Sequence, residues 1–204
     1  MKYKKLLKKG AESELYLINW YGQDAVSKIR VSKKYRHHSI DEILRKQRTL
    51  HEANIISSAK MIGVETPFIY YLNTSNFEII MEYVRGDILK DVFSPNLCVD
   101  LGKIVGKLHF YNIIHGDITT SNFILVPQNH LVVIDFGLSF FSERIEDKAA
   151  DIRLFKEILN SVHVDYFETS LEYFLLGYTK VYGKRSLKIF ETVNEIEQRG
   201  RYTR

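Results

Sequence analysis

The sequence predicts an α+β fold in two lobes, an antiparallel sheet carrying one long helix followed by a small, mostly helical lobe. Three observations predict it. The chain up to Val84 reads as short runs of period-two alternation broken by a single helical stretch, and after Gly86 the apolar spacing changes to three and four. Between two of the helical stretches stands His115 to Gly137, where an acid, an amide and a second acid recur around a predicted hairpin.

Length and composition agree with a compact protein. With 204 residues, 45% hydrophobic and 26% charged, the chain buries a real core, and 1–204 is read as one domain. Its lobes are expected at about 1–83 and 87–198, with a basic tail at 199–204. Cys98 is the single cysteine, which excludes a disulfide framework, argues against a cysteine zinc site and fits a reducing cytoplasm. No apolar run is long enough to span a bilayer, and Met1 to Lys9 lacks the apolar core of a signal peptide. The expectation is a soluble, cytoplasmic protein with no membrane contact. The net charge of +4 suits a protein that meets phosphate or nucleic acid.

Taken in order, three strands are expected around Tyr3 to Lys8, Leu15 to Trp20 and Ala25 to Arg30. Ser39 to Lys60 is predicted helical, opened by a Ser39-Ile40-Asp41-Glu42 capping box. On it, Glu52 shares a face with Ile56 and Ala59, and a carboxylate on an apolar stripe requires a partner. Lys28, at the end of the third strand, is the natural one. Phe68 to Asn73 and Phe77 to Val84 complete the sheet, and Met81 to Gly86 would connect the lobes. Leu97, Leu101, Ile104, Val105 and Leu108 mark a long helix ending near Asn112. Three further stripes follow Gly137: Ile152, Phe155, Leu159 and Val162; Phe167, Leu171, Phe174, Leu175 and Tyr178; Ile189, Val193 and Ile196. His109 and His115 read as structural, His115 bracing the loop that follows it.

The chemistry concentrates in His115-Gly116-Asp117, Asn122 and Asp135-Phe136-Gly137. Asn122 and Asp135 supply hard oxygen donors for Mg2+, which takes few carboxylates beside phosphate oxygens and water. Asp117 stands next to them as the group that orients a hydroxyl or accepts its proton. Strands at Asn122 to Val126 and Leu131 to Ile134 would bring the amide to the second acid. This is the order of groups that protein kinases use around ATP, with Lys28 and Glu52 as the phosphate-pairing lysine and its partner. The backbone of Met81, Glu82 and Tyr83 would face the adenine. Gly10-Ala11-Glu12-Ser13 stands where kinases carry a Gly-rich loop, but holds one glycine. No long activation segment separates Asp135-Phe136-Gly137 from Asp151, so phosphorylation-driven ordering is not expected. Arg199, Arg201 and Arg204 beside Tyr202, and Lys33, Lys34 and Arg36 beside Tyr35, are candidate RNA or partner contacts.

These segments together resemble the small atypical kinase subunit of the KEOPS complex: Gly10-Ala11-Glu12, Lys33 to His37 followed by Asp41-Glu42, His115-Gly116-Asp117 through Asn122, Asp135-Phe136-Gly137-Leu138, Glu146 to Ala149 and the Arg-Gly-Arg end. The resemblance implies an ATP-hydrolysing atypical serine/threonine kinase that uses ATP and Mg2+. It implies as partners a TsaD-like threonylcarbamoyl transferase subunit, a small helical subunit and tRNA, in the formation of threonylcarbamoyladenosine in tRNAs reading codons that begin with adenine. Two other readings stand beside it: a RIO-type or small-molecule kinase, and a pseudokinase-like scaffold that holds a transferase and tRNA.

Overall fold

The computed structural model describes residues 3–127 and 129–201. It resolves into two compact units, residues 1–58 with 66–85, and 59–65 with 86–204.

In the first unit, β1 (Tyr3–Lys9), β2 (Ser13–Trp20), β3 (Gln23–Arg30), β4 (Ile69–Asn73) and β5 (Glu78–Glu82) form one antiparallel sheet in the order β1-β2-β3-β5-β4. The reversal between β2 and β3 is made by Tyr21 and Gly22, both with positive φ. Period two then divides each strand. Val26, Lys28 and Arg30 alternate on β3 with Ala25 and Ser27, and a core of Ile18, Ala25 and Ile80 forms beneath Tyr16, Trp20 and Tyr70. A second core joins Ile79 and Met81 of β5 to Ala53 of α1 (His38–Met61). Thr49, Glu52, Ala53 and Ile56 are buried at the three-and-four spacing of a helix face.

The helix begins one residue before the Ser39 box predicts. Ser39 therefore lies in the first turn, its hydroxyl 2.9 Å from His37 Nδ1 rather than outside the helix as a cap. The strand β5 is shorter than the expected Phe77 to Val84, but it keeps Met81 and Glu82, which were also expected in the connector, so that only Tyr83 onward is left for that role.

The second unit holds β6 (Asp87–Ile88), α2 (Leu97–Phe110), β7 (Ile113–Ile114), β8 (Phe123–Leu125), β9 (Leu131–Val133), β10 (Phe140–Phe141), α3 (Ile145–Val162), α4 (Phe167–Tyr182) and α5 (Ser186–Arg201). Strands β6, β8 and β9 form one small sheet, and β10 pairs with β7. Helix α4 departs from its predicted stripe. Its buried face runs through Ser170, Phe174, Gly177 and Tyr178, with Leu171 and Leu175 only half-buried. The reason is close backbone approach to α2: a Cβ on Gly177 would stand 1.9 Å from the Val99 carbonyl oxygen. Glycine at that crossing lets the helices meet where bulkier side chains would separate them. Val162, expected in the stripe of α3, is 43% exposed at the end of its helix.

Candidate catalytic loop and metal site

The loop after β7 is positioned by a carboxylate that sequence reasoning passed over. Asp151, on α3, accepts the backbone N–H of His115 at 2.6 Å and that of Gly116 at 2.8 Å, one on each oxygen. Its Oδ2 also lies 3.1 Å from His109 Nε2, and His109 Nδ1 is 2.9 Å from the Tyr178 hydroxyl. All three side chains are buried, so α2, α3 and α4 meet at one hydrogen-bonded chain that ends on the loop. A signal was available: Asp151 precedes Phe155 by one turn on an apolar stripe, the same placement that singled out Glu52. Gly116 has φ of 78°, and a Cβ there would come within 2.4 Å of the Leu138 carbonyl oxygen. No other residue fits that turn without displacing the segment after Gly137.

His115 braces the loop as expected. Its Nδ1 accepts the Asp117 N–H at 3.3 Å, its carbonyl accepts the Ser139 hydroxyl at 2.7 Å, and its ring packs on Phe136 and Phe123. Burial holds the imidazole below the ordinary histidine range, against the opposing pull of Asp151, Asp135 and Asp117. Further along, the Thr120 hydroxyl is 3.0 Å from His163 Nε2, and that ring stacks on Phe93 at 3.7 Å.

Asn122 closes the loop. Its amide nitrogen donates to both the Asp117 carbonyl and the Asp117 carboxylate, each at 2.9 Å. Strand β8 begins at the next residue and pairs with β9, Phe123 opposite Val133 and Leu125 opposite Leu131. The Ile134 N–H then donates to the Asn122 carbonyl at 3.0 Å. Asn122 and Asp135, thirteen positions apart in sequence, thus stand on adjoining strand ends. The Asp135 carboxylate accepts the Gly137 N–H at 2.9 Å, which sets the turn after it. Asp117, Asn122 and Asp135 are therefore brought together within the second unit.

The donor set fits Mg2+. With its nitrogen committed to Asp117, Asn122 presents a carbonyl oxygen, and Asp135 adds a carboxylate. Among the described residues no group of three or more His, Cys, Asp or Glu is arranged to hold a metal ion. Two protein oxygens completed by phosphate and water is the usual provision for Mg2+.

In the first unit Lys28 Nζ lies 2.5 Å from Glu52 Oε1, with both side chains buried. The pairing expected from the sequence is present, and it is shared: Arg30 Nη2 donates to Glu52 Oε2 at 2.6 Å. Arg30 lies two residues after Lys28 on β3, so strand periodicity alone places it on the same face. Met81 is packed against Ala53 and Ile79 in the core. Glu82 is tied to Phe68, its N–H donating to the Phe68 carbonyl at 2.8 Å and its carboxylate accepting the Phe68 N–H at 3.0 Å. Tyr83 is half-buried beyond the strand.

The basic residues are engaged differently from the expectation of open contacts. Lys33 donates to the Ala11 carbonyl, and Arg36 lies 3.9 Å from Glu12 and 3.7 Å from Asp41, while Lys34 is exposed. Arg199 lies within α5 and pairs with Glu195 at 3.5 Å, so the segment expected as a tail is helical through Arg201. The side chain of Arg201 and all of Arg204 lie outside the described residues.

No protein-family model matches the chain. It is 39% identical over 212 aligned residues to the KEOPS complex subunit Bud32 of Pyrococcus abyssi, covering 97% of this chain and 96% of that protein. It is 44% identical to a probable bifunctional tRNA threonylcarbamoyladenosine biosynthesis protein of Methanobrevibacter smithii and 40% identical to another of Methanocaldococcus jannaschii. The chain spans 37% of the length of each of these bifunctional relatives. Among solved structures, the Rio2 kinase of Chaetomium thermophilum, determined as an ADP/Mg2+-phosphoaspartate complex, superposes with a TM-score of 0.68 at 15% identity. That alignment covers the whole of this chain and 72% of Rio2, and shows a shared kinase fold.

Proposed function

Because this chain belongs to the Bud32 family of KEOPS complex subunits, we propose that it is an ATP-hydrolysing atypical serine/threonine kinase acting in the formation of threonylcarbamoyladenosine in tRNA. The observation that supports the reading is the Asn122 side chain, whose nitrogen donates to Asp117 and leaves its oxygen uncommitted to that residue, with the Asn122 backbone bonded to the residue before Asp135. Such an arrangement serves phosphoryl transfer, where catalysis is mostly positioning and charge stabilisation.

Asn122 and Asp135 would hold Mg2+, which would supply positive charge to neutralise the phosphates. Lys28, oriented by Glu52, pairs with the phosphates nearer the nucleoside. Asp117, half-buried and steadied by Asn122, aligns a water or a seryl hydroxyl and accepts its proton. The Asp151 carboxylate fixes the backbone on which Asp117 rides. Adenine is received by the backbone from Tyr83 onward, with Met81 in the wall behind. The family places the protein in a tRNA-modification complex. Its partners are a TsaD-like transferase subunit, a small helical subunit and tRNA, and its compartment is the cytoplasm. No helix among the described residues is long and apolar enough to cross a membrane.

ATP turnover measured with and without the purified transferase partner and tRNA tests the proposal. Replacing Asp135 by Ala is expected to abolish metal-dependent turnover while leaving the thermal transition of the folded protein in place. Full turnover in that variant, or background turnover of the unaltered protein with partner and tRNA supplied, would refute the enzyme reading.

A further inference from the structure

Asp151 fixes the catalytic loop ahead of Asp117, through the His115 and Gly116 N–H groups. A second tie, from the other end of the same helix, fixes the loop after it. His163 is the C-cap residue of α3, its N–H donating to the Leu159 carbonyl at 3.0 Å, and its Nε2 lies 3.0 Å from the Thr120 hydroxyl. Both side chains are buried. Burial and the charge of Lys90 hold the imidazole below the ordinary histidine range, so that at pH 7 the bond joins two uncharged groups.

Phosphoryl transfer makes no use of that histidine, and its surroundings show what it holds. Its ring stacks on Phe93 at 3.7 Å and 15°, and Phe93 belongs to the segment between β6 and α2. The same segment grips the loop backbone: the Lys90 N–H donates to the Thr120 carbonyl at 3.1 Å and the Leu89 N–H to the Phe123 carbonyl at 2.9 Å. Thr120 opens a 3-10 turn that ends at Asn122, whose N–H donates to the Thr119 carbonyl at 3.0 Å. Thr119 gives the turn no side-chain cap. A turn of three residues has little rigidity of its own, because its hydrogen-bond geometry is poor and no further helix propagates it. The direction of the Asn122 side chain, with its two bonds to Asp117, is therefore set by what holds the turn from outside.

We propose that His163 is a positioning residue for Asn122: through the Thr120 hydroxyl it fixes the Thr120–Asn122 turn in the rotation at which the Asn122 amide reaches Asp117. Phe93 restrains the imidazole, so the bond is made in one geometry. Asp151 and His163 then act as a pair on one helix, with Asp117 strung between their two points of attachment.

The purpose of the tie rests on Asn122 being a metal ligand, and the test separates the two ideas. Thr120→Val, Thr120→Ser, His163→Phe and the Thr120→Val/His163→Phe pair are compared with the unaltered protein. Thr120→Val and His163→Phe each strand a buried polar atom and lower the melting temperature, whereas the pair removes both partners and leaves an apolar contact, so stability returns. The tie is absent from all three. One readout needs neither metal nor nucleotide: the rate of amide hydrogen exchange over residues 117–122, resolved by mass spectrometry. The other is the Mg2+ concentration that half-saturates ATP hydrolysis. Both are expected to rise about 5- to 10-fold in each single variant, the equivalent of one hydrogen bond, and to stay raised in the pair, with Thr120→Ser within about twofold of the unaltered protein. Exchange unchanged in both single variants, or restored in the pair along with the melting temperature, would overturn the proposal and leave His163 as packing. Faster exchange at an unchanged Mg2+ requirement would overturn it too. Faster exchange in the variants, set against an unaltered protein that turns over no ATP with Mg2+, would remove the metal reading of Asn122 and leave the tie to the turn standing.

Discussion

Replacing Asp151 by Asn removes a charge from the second unit without changing its shape, and the structure sets the cost. The carboxylate accepts from His115 N–H, Gly116 N–H and His109 Nε2 at 2.6, 2.8 and 3.1 Å. An amide has one oxygen. If that oxygen keeps Gly116, its nitrogen faces His109 and the His115 N–H. His109 can adapt by exchanging tautomers, accepting at Nε2 and donating from Nδ1 to the Tyr178 oxygen. The His115 N–H has no such escape and is left buried against a donor. Losing a hydrogen bond to a charged acceptor and stranding the donor costs about 2–3 kcal/mol. For a chain of this length that lowers the melting temperature by roughly 5–10 °C. The catalytic loop loses its anchor as well, and a displacement of about 1 Å at Asp117 is enough for a kcat loss on the order of 100-fold. Calorimetry and single-turnover ATP hydrolysis read the two effects, and ATP affinity should move far less than kcat. A variant melting within a degree of the unaltered protein and turning over at half its rate or better would show that the loop does not depend on this carboxylate.

Three further outcomes are expected. Because burial depresses the His115 pKa, the unfolded chain binds a proton that the folded chain refuses just below pH 6.5; stability rises with pH through that window and is lost on acidification, by at most about 1.4 kcal/mol per pH unit. Urea denaturation across pH 5 to 7 should give a shallower dependence in His115→Asn, and an identical one would exclude this histidine as a source. Burial pushes the Cys98 thiol up to about 12, so iodoacetamide at pH 8 should label it only when the chain unfolds, and rapid labelling of the native protein would contradict the packing of α2 on α4. If the C-terminal basic residues meet tRNA phosphates, deletion of 199–204 should flatten the fall of tRNA affinity with salt, and an unchanged slope assigns the segment to protein contact.

Much of the second unit's site was legible because its parts are local. Asp117 and Asn122 share one loop, and the hairpin that returns Asp135 to them is announced by two apolar runs with a turn between. Glu52 was legible for another reason, since a carboxylate on an apolar helix face must be answered by a cation. The same reasoning, not extended, would have reached Asp151 and the second cation on Glu52. What periodicity could not show is competition. Lys33 and Arg36 stand in a basic run that reads as an open nucleic-acid surface, yet Ala11, Glu12 and Asp41 draw both inward. Charge counted along a sequence says nothing about which cations have internal partners. The shifted stripe of α4 has a similar origin, because glycine contributes nothing to a hydrophobic pattern although it decides which helix face makes the closest approach.

The turn that follows Asp135-Phe136-Gly137 has a consequence for control. Ser139 is bonded to the His115 carbonyl, Phe140 and Phe141 pair at once with Ile114 and Ile113, and a helix starts at Ile145. Among the described residues, the short segment between Gly137 and Ile145 is taken up by these contacts and holds no long flap. A loop tied down this early in the chain is set by its own contacts, at the cost of leaving little slack for a modification there to take up.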